Sequence, residues 1–183
     1  MRHLTTLLLL VAVIAMCRSA DKKFLASYGG QTVDQLIAME SHYRVDSLVL
    51  AFEQAIQQKP PTKKLSQAET DILAVEAMER EVNNGGYHQF FLNSSKEYAA
   101  ALPSSLDRIG CPIAARIASD ALTSLAIDGE VTVAKIDSTW SARGSKVVSD
   151  LEAMDTRYFQ NREQIADRLF AYIKSKLGEI SLR

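Results

Sequence analysis

The chain has 183 residues, 47% hydrophobic and 23% charged, with eight glycines and four prolines. Such a composition fits one globular domain and excludes a fibrous or disordered chain. The formal net charge of −1, with no lysine- or arginine-rich run, excludes a general phosphate-gripping surface, so no direct nucleic-acid binding is expected.

Residues 1–20, MRHLTTLLLLVAVIAMCRSA, differ in kind from the rest. Arg2 precedes an apolar stretch from Leu7 to Met16, and small and polar residues follow. The layout is that of a secretory signal peptide, too short to span a bilayer comfortably, which places the mature chain in the periplasm or outside the cell. The alternatives are an uncleaved membrane anchor, a lipid on Cys17, and a misassigned start that would leave the protein cytoplasmic. Losing Arg2 and Arg18 with the leader leaves 19 basic against 22 acidic side chains, a net of −3. Cys111 would then be the last cysteine, so the domain at 25–183 must hold together by its core without an intrachain disulfide.

Beyond the leader the apolar residues recur at helical spacing, and the predicted class is all-α, a compact bundle of about six to eight helices. A short helix is expected over Val33 to Met39, after the turn signal Gly29-Gly30. In DSLVLAFEQAIQQK, Leu48, Phe52, Ala55 and Ile56 mark a core face, Glu53, Gln57 and Lys59 are expected to point away, and Pro60-Pro61 ends the helix. Ser66 with Glu69 forms a capping box before the stripe Ile72, Val75, Ala77, Met78 and Val82. Glu76, Glu79, Arg80 and Glu81 are expected on or near the wet side, with Glu76 and Arg80 as an i,i+4 pair.

Asn83-Asn84-Gly85-Gly86 tolerates left-handed backbone and should close that helix, with a second short one from Tyr87 to Asn93. Ser94 with Glu97 reads as another capping box, opening KEYAAAL. Pro103 bends or restarts this helix and Ile109-Gly110 closes it. Pro112 opens a run whose Ile113, Ile117, Ala121 and Leu122 suit a core face. EVTVAKID is expected as loop or irregular helix, and SARGS at 141–145 as loop. SDLEAMDTRYF is a short helix with Leu151, Met154 and Tyr158 inward. Asn161 and Gln164 are a weaker cap signal for a last helix, with Ile165, Leu169, Tyr172, Ile173 and Leu177 on its apolar side.

Metal chemistry finds no local ligand grouping: His3, His42 and His88 are scattered, without HExxH or CxxC spacing, and no cofactor is expected. A Cys111–His88 pair oriented by Asn84 or Glu81 would be a nucleophile in principle, but a lone cysteine behind Gly110 reads first as buried filler. Gly85-Gly86 lacks the flanking strand of a phosphate loop. One polar cluster remains, formed by Glu81, Asn83, Asn84, Gly85, Gly86, His88, Gln89 and Asn93. A tight corner between helices leaves backbone groups unpaired, and these side chains can satisfy them while Phe90 and Phe91 pin the corner to the core. Asn84 in particular is expected to hold the bend by a hydrogen bond. Half-exposed, the same cluster would bind a peptide or small polar ligand.

The stretch EVNNGGYHQFFLNSS at 81–95 resembles the signature of the DNA-mimic-protein-19-like family, E-V-N-N-G-G-[FY]-x-Q-[FY]-[FY]-x-N-S. ALPSSLDRIG and LEAMDTRYF, similar to a family segment L-x-x-[LM]-D-x-x-[FY]-[FY], extend the likeness over about residues 66–177. The resemblance implies a compact all-α fold and, for the family's namesake, an acidic surface that imitates duplex phosphates and occupies a DNA-binding protein; it carries over no catalytic residue. Here Glu69, Asp71, Glu76, Glu79 and Glu81 form an acidic strip interrupted by Arg80, and the low net charge and the leader both depart from such a decoy. The expected function is therefore a non-enzymatic, exported binding protein with a protein or peptide partner, homodimerisation remaining open. The alternatives are a DNA mimic and a hydrolase using His88 and Glu81.

Overall fold

The computed structural model describes residues 21–182, so the leader at 1–20, with its expected cleavage or lipidation at Cys17, lies outside the described residues. The described residues form seven α-helices: α1 Val33–Ala38, α2 Val45–Gln57, α3 Gln67–Leu92, α4 Leu102–Arg108, α5 Pro112–Ser124, α6 Val133–Gln160 and α7 Ile165–Ser175. Short 3-10 turns occupy Met39–Ser41, Ser94–Tyr98 and Leu177–Glu179. No strand occurs among the described residues; an isolated parallel bridge joins Lys23 to Tyr43. The all-α expectation holds.

α3 is the axis of the bundle. α2, α4, α6, α7 and the Ser94–Tyr98 turn all pack on it, while α2 meets α7 and α5 lies between α4 and α6. A helix covered on several sides buries residues beyond a single stripe. Accordingly Leu73 and Ala74 are buried together with the expected Ile72, Val75, Ala77, Met78 and Val82. Its start follows local rules: Ser66 Oγ accepts from Glu69 N at 3.1 Å and the Glu69 carboxylate accepts from Ser66 N at 3.0 Å.

The same covering reverses the expected placement of several charges. Glu53 and Lys59 do not point away from the core but are buried, because Arg80 and Gln57 donate to Glu53 and Lys59 pairs with Glu69. Glu76 and Glu81 are also buried, not on the wet side. Arg80 is ion-paired with Glu53 and lies 3.7 Å from Glu81, and it acts on its expected i,i+4 partner Glu76 only through charge at longer range. Asp71, at 0% exposure, accepts from Arg108 Nε (2.9 Å) and Nη2 (2.6 Å), Tyr172 Oη (2.7 Å), Ser105 Oγ (2.7 Å) and Gln67 Nε2 (3.1 Å).

Four further expectations need correction. Ser94 and Glu97 do not form a capping box: the segment is a 3-10 turn without a side-chain cap, and the next helix restarts at Leu102 with Pro103 in its first turn. SARGS is not a loop, because α6 runs through it with a single non-helical residue, Arg143 (φ −141°, ψ 19°), and part of EVTVAKID is its first turn, capped by Thr132. Ile113, in the first turn of α5, faces solvent at 55% exposure, and Leu177 is likewise exposed, in a turn beyond α7.

Glu76 generates a pH prediction. Its side chain is 8% exposed and accepts no hydrogen bond among the described residues. Burial first, then the Glu53 and Glu79 carboxylates, raise its pKa well above the ordinary glutamate value. Stability tied to a raised carboxyl pKa is present at acid pH and is lost as pH rises through the folded value. Glu69, Asp71 and Glu81 work in the opposite sense. Burial alone would raise them, yet their donors hold them below the ordinary range, so their contribution is lost as pH falls. Glu76→Gln should therefore raise unfolding free energy at about pH 8 by roughly 1 kcal/mol or more, with a smaller gain near pH 5, measured by urea titration.

Candidate functional site

The signature stretch occupies the second half of α3. Backbone geometry breaks at Gly85 (φ −164°, ψ 19°) and Gly86 (φ 80°, ψ 179°), so two helical halves meet at the expected corner. The left-handed φ of Gly86 suits only glycine. A Cβ there would also lie 2.3 Å from Asp155 Oδ2. That carboxylate has a use: its Oδ1 accepts from Tyr87 N at 2.7 Å, filling one of the donors left free where the second helical half begins. At Gly85 a Cβ would fall 2.1 Å from Gln89 Oε1, displacing a side chain the corner needs.

Gln89 is needed because Glu81 is the acceptor on which the corner closes. Gln89 Nε2 donates to Glu81 Oε2 at 2.9 Å, Asn93 Nδ2 to the same oxygen at 2.7 Å, and Ser95 Oγ to Oε1 at 3.0 Å. Burial of Glu81 opposes its charge, but these three donors and Arg80 hold its pKa below the ordinary value. One carboxylate thereby ties the first helical half to the second half and to the following turn. The commitment of Asn93 and Ser95 to Glu81 also explains why no cap forms at Ser94.

The remaining cluster residues divide. Asn83 Nδ2 donates to Glu79 O at 2.7 Å and to Tyr158 Oη at 3.1 Å. Asn84 is exposed and its side chain has no hydrogen-bond partner among the described residues, contrary to its expected role. His88 is half-buried, with Nδ1 3.3 Å from Gly85 O and its ring edge-on to Trp140 at 5.9 Å. No hydrogen bond joins His88 to Glu81 or to Cys111 among the described residues. Cys111 is fully buried, and burial pushes its thiol up to about 11, so it is protonated at neutral pH. Phe90 and Phe91 are buried and edge-to-face at 5.2 Å, pinning the corner as expected.

Sequence reasoning missed the contribution of α6. Asp155 caps the corner, while Tyr158 donates to the Glu79 carboxylate, accepts from Asn83 and stacks edge-on to Tyr87 at 6.3 Å. Asp155 and Tyr158 are three apart and so share a helix face, a signal visible in LEAMDTRYF. Glu79, Asn83 and Tyr158 also line a polar cleft of about 320 Å³ bounded by Asn161, Gln164 and Asp167. Burial raises the Glu79 pKa, with the Tyr158 hydrogen bond opposing it. Among the described residues no group of three or more His, Cys, Asp or Glu side chains could hold a metal ion.

A family model described as DMP19-like protein matches residues 63–176, spanning the Glu81 clasp and the Asp155–Tyr158 pair. No curated protein and no solved structure matches the chain.

Gly86→Ala should cost roughly 2 to 4 kcal/mol in urea unfolding, from a strained φ and displacement of Asp155. Asn84→Ala, on an exposed amide without a partner, should stay within about 0.5 kcal/mol of wild type.

Proposed function

The chain belongs to the DMP19-like protein family, and from that premise we propose that it is a non-enzymatic binding protein with a protein or peptide partner. The observation that carries the reading is an open groove between α5 and the end of α6, floored by Pro112, Ile113 and Ile117, with Ile113 55% exposed. An apolar groove left open to solvent favours association with another macromolecule. The signature itself supports a structural role, because Glu81, Gln89, Asn93 and Ser95 bond to one another within the corner.

The two alternatives draw less support. A DNA decoy needs dense outward negative charge, complementary to a surface that reads phosphates. In the expected acidic strip, Glu69, Asp71, Glu76 and Glu81 are buried instead. Several outward acids have basic neighbours, as in Asp46 with Arg44, Asp150 with Lys146 and Glu40 with Lys174. A hydrolase built on His88 and Glu81 would need a catalytic hydrogen bond, whereas Glu81 serves three structural donors and His88 faces Gly85 and Trp140. The leader's composition supports work in the periplasm or outside the cell.

A photocrosslinking residue placed at Ile113 in the native host tests this reading. One defined protein adduct in the exported fraction is expected, on a chain whose N-terminus begins after the leader. A cytoplasmic adduct to a DNA-binding regulator, with residues 1–20 intact, would contradict it, as would the absence of any adduct.

A further inference from the structure

On the side of α5 that carries Ile113, a groove of about 570 Å³ runs between that helix and the end of α6. Its floor is apolar, made by Pro112, Ile113 and Ile117. Its rim is cationic: Arg116 stands on α5, Arg157 on α6 and Arg162 just after it. The placement follows from helical spacing, since Ile113, Arg116 and Ile117 are three and four apart on one face. Arg157 is paired, 2.6 Å from Asp120. Arg116 and Arg162 have no acidic partner among the described residues.

Glu163, next to Arg162 in the chain, is already engaged. Glu163 accepts from Ile113 N at 3.0 Å and Ala114 N at 2.9 Å, satisfying the opening donors of α5. The positive character of the rim therefore rests on the guanidiniums and not on free backbone donors. Arg116 and Arg162 flank an isoleucine that is 55% exposed. They suit an occupant that brings an apolar side chain to the floor and carboxylates to the rim, where planar guanidiniums bind carboxylates in bidentate fashion.

We infer that this groove is the docking site for an acidic, amphipathic peptide segment of a partner protein, with an apolar side chain seated on Ile113 and Ile117 and flanking carboxylates held by Arg116 and Arg162. The inference rests on the protein-binding reading above and adds the chemical class of the partner. Charge complementarity selects the occupant: a basic segment would meet the arginines with like charge, and an uncharged one would leave both unpaired. Because neither arginine supports the fold through an ion pair, both can be reversed without disturbing the bundle.

Selection of a random linear peptide library against the immobilised chain provides the test. Wild type should enrich peptides with an apolar residue flanked by Asp or Glu, binding more weakly as salt rises. The double reversal Arg116→Glu/Arg162→Glu, checked for an unchanged melt, should weaken those peptides by about tenfold or more and favour Lys and Arg at the flanks. Enrichment of neutral or basic peptides by wild type, lost in Ile113→Asp, would overturn the acidic class while leaving the protein-binding reading intact. Acidic peptides retained fully by the double reversal would place their site elsewhere and overturn the assignment. No enrichment with any variant, or competition for the groove by dodecanoate alone, would overturn both the peptide assignment and the broader reading.

Discussion

A carboxylate inside a helical bundle must be met by donors or kept neutral, and α3 takes several of them inside. Glu69 is met by Lys59 and by the backbone N–H groups of Ser66 and Ser181. Asp71 is met by Arg108, Tyr172, Ser105 and Gln67, and Glu81 by Gln89, Asn93 and Ser95. These contacts bring together α3, α4, α7, the chain after Leu92 and the C-terminal segment. Hydrophobic burial drives the collapse of such a chain, but it is not directional. The carboxylates supply direction, because each fixes which neighbour lies against which turn of the axial helix. Glu76 lies outside the pattern: it is buried beside like charges and meets no donor.

The corner at Gly85-Gly86 extends the same logic across the long interval to α6. Asp155 occupies the space a side chain on Gly86 would fill and caps the Tyr87 amide. Tyr158, one turn on, bridges Glu79 and Asn83. Two segments with separate family likenesses are thus halves of one clasp. The polar chemistry of the signature is thereby committed to architecture.

Local patterns were legible in the sequence. The Ser66–Glu69 box forms as its spacing requires, and the asparagine-glycine run bends the chain where left-handed backbone was expected. The similar Ser94–Glu97 pattern fails because Asn93 and Ser95 answer to Glu81, more than ten residues away, and no window of local spacing contains that competition. The burial of Glu53 and Lys59 was hidden for the same reason, since their partners Arg80 and Glu69 lie on another helix. SARGS contained loop-forming residues, yet a change of backbone at Arg143 alone lets α6 continue. Asp155 and Tyr158 were visible as a helix-face pair, but their partners on α3 were set by tertiary packing. Within the candidate site, Glu81, Gln89 and Asn93 were gathered by sequence proximity, whereas the exposure of Asn84 depended on which way the corner turns.

Carboxyl-carbon NMR titration of the intact chain tests the clasp most directly, because the Glu81 side-chain resonance reports its own proton. A saturated acceptor, buried but held by three donors, should titrate below an ordinary exposed glutamate, in a transition that follows the loss of the Asn93 and Gln89 side-chain amide shifts. Titration of Glu81 at the ordinary glutamate value, with those amide shifts unchanged, would mean that the signature carboxylate is in water and the corner is held by something else.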